Sequence, residues 1–377
     1  MERQKLDFAH QKQESVQLPS INLTAAERFE GISGQRIEEL LNRIGSLRAG
    51  VLGDVCLDAY WVADLTCSVL SRETPHYTLP VVEEQYSPGA AGNVAANLIS
   101  LGCREVAVCS VIGNDWRGSL LRQQLVERGI DTSYLLTDDD WITPAYCKPI
   151  RLGLQRVRQE DPRIDFQNFR KLPDGVAVTL AERLDTMAER CDIIAVTDQQ
   201  LFGIIGEEIR NKLAQWAARG KIIVVDSREK IGLYKGVIVK PNEVEASQWF
   251  YPEANPKDWT LMEWAGMARR MSGDVQGVCC MTLGSEGAIW AEGERCIFVP
   301  TQPAEPPIDI VGAGDGFAAA MMCALGAGGT GPEAMAFAHL AASVVIRKIG
   351  TTGTASPQEI RTAYAGQEGK DGVLRRP

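Results

Sequence analysis

Apolar and polar residues recur with two different periods along this chain, and the changes of period mark out its elements. Ile37, Leu40, Leu41 and Ile44 repeat at three- and four-residue spacing, which predicts a helix. Residues 48–54 (RAGVLGD) form a short continuous apolar run, which predicts a buried strand ending at Gly53-Asp54. Between Trp61 and Tyr86 the pattern shifts to short β-prone pieces such as 77–82, broken by Thr74-Pro75 and Pro80, as in a small accessory sheet. Val94, Leu98 and Leu101 then make a helical stripe that stops at Gly102. A strand over 106–112 and a helix over 116–128 follow, and 133–168 alternates again like the accessory sheet.

From 180 onward strands and helices alternate regularly, which implies parallel strands joined by crossover helices. Strands are expected at 191–197, 221–226, 236–240 and 277–283, and helices at 181–190, 206–219 and 257–271. Residues 288–291 and 295–299 read as a hairpin turning at Glu292-Gly293. The expected fold class is α/β: a doubly wound, mostly parallel central sheet flanked by helices, with a small β-lid. In this reading 1–30 is a flexible N-terminal segment, 31–366 is one domain whose lid comes from about 61–88 and 133–168, and 367–377 is a C-terminal tail.

Composition narrows the function classes. With 377 residues, 45% hydrophobic and 23% charged, the chain has the make-up of a globular protein with a substantial core. A formal charge of −10 argues against a general nucleic-acid binder. The ten cysteines show no C-x-x-C spacing and the three histidines are far apart, so buried free thiols are expected and a zinc site is not. No apolar run is long enough for a membrane span and the first twenty residues lack a signal-peptide core, so the expected location is the cytoplasm.

The candidate chemistry centres on Asp309-Ile310-Val311-Gly312-Ala313-Gly314-Asp315, a small-residue turn directly before an apolar run at 316–325 that suits a buried helix. Backbone N–H groups at a helix start lack internal partners and carry partial positive charge, so Gly312, Ala313 and Gly314 can approach an anion closely. Asp315 would face that anion, placed to accept a proton from an alcohol. On local grounds alone the stretch is equally an ordinary glycine-rich helix start. Asp54 and Asp58 lie just past a strand's carboxyl end, where α/β proteins bind ligands. Asn93, beside the small residues at 88–92, can hydrogen-bond a ligand in both directions. The cations Lys148, Arg151, Arg156, Arg158 and Arg163 suit either an anionic substrate group or a soluble strand surface.

Four elements occur in a fixed order: Gly89-Ala90-x-x-Asn93, Pro241-Asn242-x-x-Glu245, Thr282-x-Gly284-x-x-Gly287 and the Gly312-Ala313-Gly314-Asp315 turn. In that order, from about residue 48 to 356, the chain resembles the ribokinase-like (PfkB-type) family of carbohydrate kinases. The resemblance implies ATP-dependent phosphorylation of a sugar or sugar-phosphate hydroxyl, with Asp315 as the base and the 312–315 backbone as an anion hole. It implies that Asp58 and Asn93 bind substrate hydroxyls and that Gly89 and Ala90 form the junction of lid and main sheet. Asn242 and Glu245 would organise Mg²⁺ through water, and Thr282, Gly284 and Gly287 would line the ATP phosphates. His339 falls beside the adenine position, and Asp309 with 350–352 near the K⁺ site of those members that have one.

Within the family, the likeness is to the branch that phosphorylates D-glycero-manno-heptose 7-phosphate. It rests on Gly53-Asp54-Val55-x-Leu57-Asp58-x-Tyr60-Trp61, Ser71-x-Glu73-x-Pro75, the Pro-Gly-Ala-Ala-Gly-Asn-Val-Ala helix start and Arg163-Ile164-Asp165-Phe166. Arg163 is thereby a substrate-binding candidate. Ile310 stands where the signature has Thr, Ala90 where the hinge has a second Gly, Arg72 where that branch has Pro, and 197–202 (TDQQLF) replaces its Ser-Asp-Tyr-Gly-Lys-Gly run. The alternatives are a kinase for another small polyol or nucleoside, and a catalytically silent sugar or nucleotide sensor. Apolar residues on both faces of the lid strands, among them Tyr77, Leu79, Val81, Tyr146 and Ile150, point to a homodimer joined through the lids.

Overall fold

The computed structural model describes residues 26–252, 259–350 and 352–374. Glu27–Arg28 (β1) is a two-residue strand, so the end of the expected flexible segment pairs with the sheet; residues 1–25 lie outside the described residues. Gly34–Ile44 (α1) buries Ile37, Leu40, Leu41 and Ile44, the apolar stripe of its sequence, and Ser33 caps it by accepting the Arg36 N–H. Arg48–Gly53 (β2) is the central buried strand and runs almost directly into Val55–Asp64 (β3) of the second sheet. Val81–Ala90 (β4) returns antiparallel along β3, and Ala91–Ser100 (α2) starts at its last residue.

Glu105–Gly113 (β5), Trp116–Glu127 (α3) and Leu135–Asp138 (β6) complete one flank of the main sheet. Ala145–Leu152 (β7), Arg158–Glu160 (β8) and Ile164–Phe166 (β9) then rejoin β3. Asp174–Arg190 (α4), Ile193–Asp198 (β10), Glu207–Ala218 (α5), Ile222–Ser227 (β11) and Ile238–Val239 (β12) carry the expected alternation. Glu243–Phe250 (α6) and Leu261–Val275 (α7) follow, α7 opened by the reciprocal Thr260–Glu263 capping box. Its expected start at 257 falls in 253–258, outside the described residues. Val278–Thr282 (β13), Gly287–Glu292 (β14) and Arg295–Pro300 (β15) form the expected hairpin edge, and Ala313–Gly326 (α8), Gly331–Val345 (α9) and Pro357–Leu374 (α10) finish the chain.

The main sheet has ten strands in the order β1-β15-β14-β13-β12-β11-β10-β2-β5-β6. It is parallel from β6 to β13 and antiparallel through β14 and β15. One apolar cluster packs α1, α2, α8 and α9 on one face, and a second packs α4, α5 and α7 on the other, the doubly wound arrangement. The architecture is the expected α/β one, a doubly wound and mostly parallel sheet with a small β-lid.

The lid is a five-stranded sheet, β4-β3-β7-β8 with β9 on β7, and it differs from its expected bounds. It begins at Val55, because β3 is long enough to pair with β4 and β7 along most of its length. Residues 77–80 are not its strand: Tyr77 makes only an isolated bridge to Leu70, and the lid strand begins at Val81, past Pro80. Residues 135–138 belong to the main sheet, where Ser110 to Gly113 of β5 pair with them. At the C-terminus α10 continues to Leu374, through most of the expected tail. All ten cysteines are free and nine are buried, Cys67 being exposed. Among the described residues no helix is long and apolar enough to cross a membrane.

Candidate active site

The carboxyl ends of β2, β10, β11 and β12 open towards the lid, and a cavity of about 310 Å³ lies between them. Among its lining residues are Asp58, Ala90 and Arg163 from the lid side, Asn242 and Glu245, and Gly312, Gly314 and Asp315. A gap at the carboxyl edge of a doubly wound sheet is where such folds hold ligands, because loops leave there on both faces.

Asp315 lies in the first turn of α8. Gly312 caps that helix at φ +80°, a left-handed conformation costly for any side chain, which turns the chain sharply enough to present its amides to the cavity. The Ala313 N–H is engaged by the Ile310 carbonyl at 3.1 Å, whereas the N–H groups of Gly312, Gly314 and Asp315 have no acceptor among the described residues. The amides left open at this helix start are therefore those three, with Ala313 holding the turn. Asn93 Nδ2 donates to Asp315 Oδ2 at 2.7 Å, and Asn97 Nδ2 in turn donates to the Asn93 carbonyl at 3.0 Å. Loss of water around the carboxyl raises the Asp315 pKa from 3.8 to about 7; Asn93 opposes the rise, and nearby Asp226 and Asp58 add to it.

Asp58 is buried on β3 opposite Ser87, and burial raises its pKa while Lys148 and Arg163 oppose the rise. Gly89 packs so tightly on this carboxylate that a Cβ there would lie 2.9 Å from Oδ2. Ala90 has φ +49°, a strained backbone for a residue with a side chain, at the junction of lid and α2.

Asn242 and Glu245 form the capping box of α6. Glu245 Oε2 accepts the Asn242 N–H at 2.9 Å, and Asn242 Oδ1 accepts the Glu245 N–H at 2.8 Å. Beneath them Lys240 and Asp226 make a buried ion pair at 3.0 Å. Burial and the neighbouring Asp226 raise the Glu245 pKa, and Lys240 opposes them.

The other expected residues lie apart from this cavity. Thr282 pairs with Asn242 across the ends of β12 and β13, Gly284 is left-handed at φ +52°, and a Cβ on Gly287 would sit 2.3 Å from the Val299 carbonyl oxygen. Hairpin packing therefore demands glycine at 287 by itself. His339 packs edge-on against Phe317 at 5.1 Å, burial lowers its pKa to about 4, and its Nε2 has no hydrogen-bond partner among the described residues. Asp309 accepts the N–H groups of Val311 at 3.0 Å and Gly350 at 2.9 Å, so its carboxylate ties the turn to the end of α9; Thr351 lies outside the described residues.

Several lining residues escaped the sequence reading. Asp226 and Lys240 stand at strand ends, and that position was the available signal. Arg228 and Gln199 lie in loops, and no spacing in the sequence marks them out.

Comparison with known proteins agrees with this architecture. The profile of the pfkB family carbohydrate kinases matches residues 58–148 and 232–359, more than half of the chain. The chain is 31% identical over 339 residues to "Bifunctional protein HldE" of Geotalea uraniireducens, covering 86% of this chain and 64% of that protein. It is 30% identical over 343 residues to the protein of the same name in Geobacter sulfurreducens, covering 89% and 66%. The chain thus spans about two thirds of the length of these relatives. Among solved structures, Arabidopsis thaliana ribokinase complexed with ribose and ATP superposes with a TM-score of 0.61 at 19% identity, covering 84% of this chain and 98% of that one. Escherichia coli phosphofructokinase-2 in complex with fructose-6-phosphate gives 0.63 at 18%, covering 85% and 99%. The two structures share the fold, while the family follows from the profile and the relatives together with the ordered motifs around Asp315: this chain belongs to the pfkB family of carbohydrate kinases.

Proposed function

We propose that this protein transfers the γ-phosphoryl group of ATP to a hydroxyl of a phosphorylated sugar, with Asp315 as general base. The observation that carries the reading is the pairing of a carboxyl raised to about pKa 7 and aligned by Asn93 with three unpartnered amides at the α8 N-terminus. A base is most effective with its pKa near the working pH. Asp315 takes the hydroxyl proton, Asn93 keeps its carboxylate aimed, and the amides of Gly312, Gly314 and Asp315 offset the charge that grows on the phosphoryl oxygens. Asp58, deep in the lid side, orients the sugar hydroxyls.

A phosphorylated substrate is favoured over a free sugar because Lys148, Arg163 and Arg228 all line the cavity. The lid stretches that resemble the heptose 7-phosphate branch make that sugar phosphate the first to test. The donors around the metal position are all oxygen, from Asn242, Glu245 and Asp226, and no group of three metal-binding side chains converges among the described residues. That set suits Mg²⁺ held partly by water and phosphates, and the ion when bound neutralises charge on the triphosphate. In this reading Thr282, Gly284 and Gly287 flank the nucleotide, His339 stays a neutral ring beside the base, and Asp309 shapes the turn at which K⁺ would act.

A coupled assay across phosphorylated and free sugars, polyols and nucleosides, with Mg²⁺ and with or without K⁺, tests the proposal. The expected result is Mg²⁺-dependent turnover highest with a sugar phosphate. Turnover only with an uncharged alcohol would move the substrate class, and ligand binding without any turnover would make the protein a sensor. We also propose a homodimer through the lids, supported by the exposure of Tyr77, Val82, Leu154 and Val157 there. Sedimentation as a monomer at micromolar concentration would refute it.

A further inference from the structure

The loop from β10 to α5 is built around a buried carboxylate. Asp54 Oδ2 accepts the N–H groups of Gln199 at 3.1 Å and Gln200 at 2.9 Å, and Oδ1 accepts that of Ile204 at 2.9 Å. A Cβ on Gly203 would stand 2.5 Å from the same carboxylate, so the loop closes over Asp54 only with glycine there. The far side is tied to a second buried carboxylate, Asp198, which accepts from Tyr234 at 2.8 Å, Ser227 at 3.2 Å and Lys230 at 3.1 Å. Lys230 Nζ also reaches the Gln200 carbonyl at 3.2 Å. The Gln200 backbone is therefore held from both directions.

The Gln200 side chain leaves this clamp and crosses to the lid, where Nε2 donates to the Tyr146 hydroxyl on β7 at 2.7 Å. The Arg163 guanidinium, one residue before the strand β9 that pairs with β7, lies 4.1 Å from the centre of the Tyr146 ring and is bound in two places by Asp165, at 2.6 and 2.7 Å. Tyr146 and Arg163 both line the cavity, whereas Gln200 does not. We propose that Gln200 is a positioning residue that latches the lid to the main sheet, holding Tyr146 and so Arg163 at the rim where the substrate's anionic group is bound. The consequence for binding rests on the cavity being a sugar-phosphate site; the latch does not.

Two measurements keep those parts separate. Hydrogen exchange on the ligand-free protein reads the latch directly. Gln200→Leu and Tyr146→Phe should each speed exchange in 145–152 and 164–166 by about three- to tenfold, the worth of one partly buried hydrogen bond. Gln200→Glu, whose carboxylate can accept from the Tyr146 hydroxyl, should exchange like the wild type. Unchanged exchange in both disrupting variants overturns the latch. Steady-state kinetics reads its consequence: KM for the sugar phosphate rises about three- to tenfold, kcat stays within about twofold, KM for ATP does not move, and the double variant is no worse than either single one. Additive effects, or a fall in kcat with KM unchanged, overturn the positioning role. If the wild type phosphorylates no sugar phosphate, the proposed function fails and the exchange arm still decides the latch.

Discussion

Replacing Asp315 by Asn should slow the proposed phosphoryl transfer and stabilise the fold, with the second effect dependent on pH. The native pKa of about 7 lies above the ordinary 3.8, so the folded protein keeps a proton that the unfolded chain has lost. The carboxyl's contribution to stability is whole below about pH 4 and is lost as pH rises through 7. Three pH units at about 1.4 kcal/mol each set a ceiling of about 4 kcal/mol. Asp315 keeps part of its surface open to the cavity, so its desolvation is incomplete and about 1–2 kcal/mol is the realistic cost of its ionisation at pH 8. An amide avoids that cost, and its oxygen can still accept from Asn93 Nδ2. Asp315→Asn should therefore melt about 1–3 °C above the wild type at pH 8, with the gap closing as pH falls towards 4. The same variant should lose two to four decades in kcat, about 3–5 kcal/mol of barrier, with substrate KM nearly unchanged. Thermal scans from pH 5 to 8 beside single-turnover kinetics make the test. Near-wild-type turnover would remove Asp315 as the base, and a stability gap that ignores pH would refute the account of its burial.

Three further outcomes follow from the geometry. Asn93→Ala removes the bond that holds the Asp315 pKa down, so the acid limb of the pH profile of kcat/KM should move to higher pH and activity at pH 7 should fall; an unmoved limb would show the bond to be idle. Ala90→Gly should relieve about 1–3 kcal/mol of strain at φ +49° against about 0.5–1 kcal/mol of added chain entropy, for a net gain of about 1 kcal/mol in urea unfolding. Lys240→Met leaves the buried Asp226 carboxylate unpaired and should cost about 3–5 kcal/mol, whereas the pair Lys240→Met with Asp226→Asn should cost clearly less.

Much of the fold was legible because it rests on local rules. The stripe of α1 and the β-α alternation after 180 are patterns of spacing, and each places an element within a few residues. Spacing misled in the lid. The run at 77–82 is strand-like throughout, but only Val81 and Val82 join β4; before Pro80 the one pairing is the bridge of Tyr77 to Leu70. The strand at 135–138 has its partner in the main sheet, a choice made by the crossover from α3.

The sequence by itself determined the helix start at 312–315, since Gly312-Ala313-Gly314-Asp315 before an apolar run can hardly avoid presenting amides and a carboxylate at one helix end. It also determined the α6 cap, because Asn242 and Glu245 satisfy each other within one turn. Only the tertiary structure decided that Asn93, from a helix more than two hundred residues earlier, bonds Asp315, and that removal from water moves that carboxyl to about pKa 7. It alone joined Asp54, Gln200, Tyr146 and Arg163 into one support for the lid. The physical reason is that helix starts and caps are local hydrogen-bond problems, whereas desolvation and cross-sheet contacts depend on which distant segments pack together.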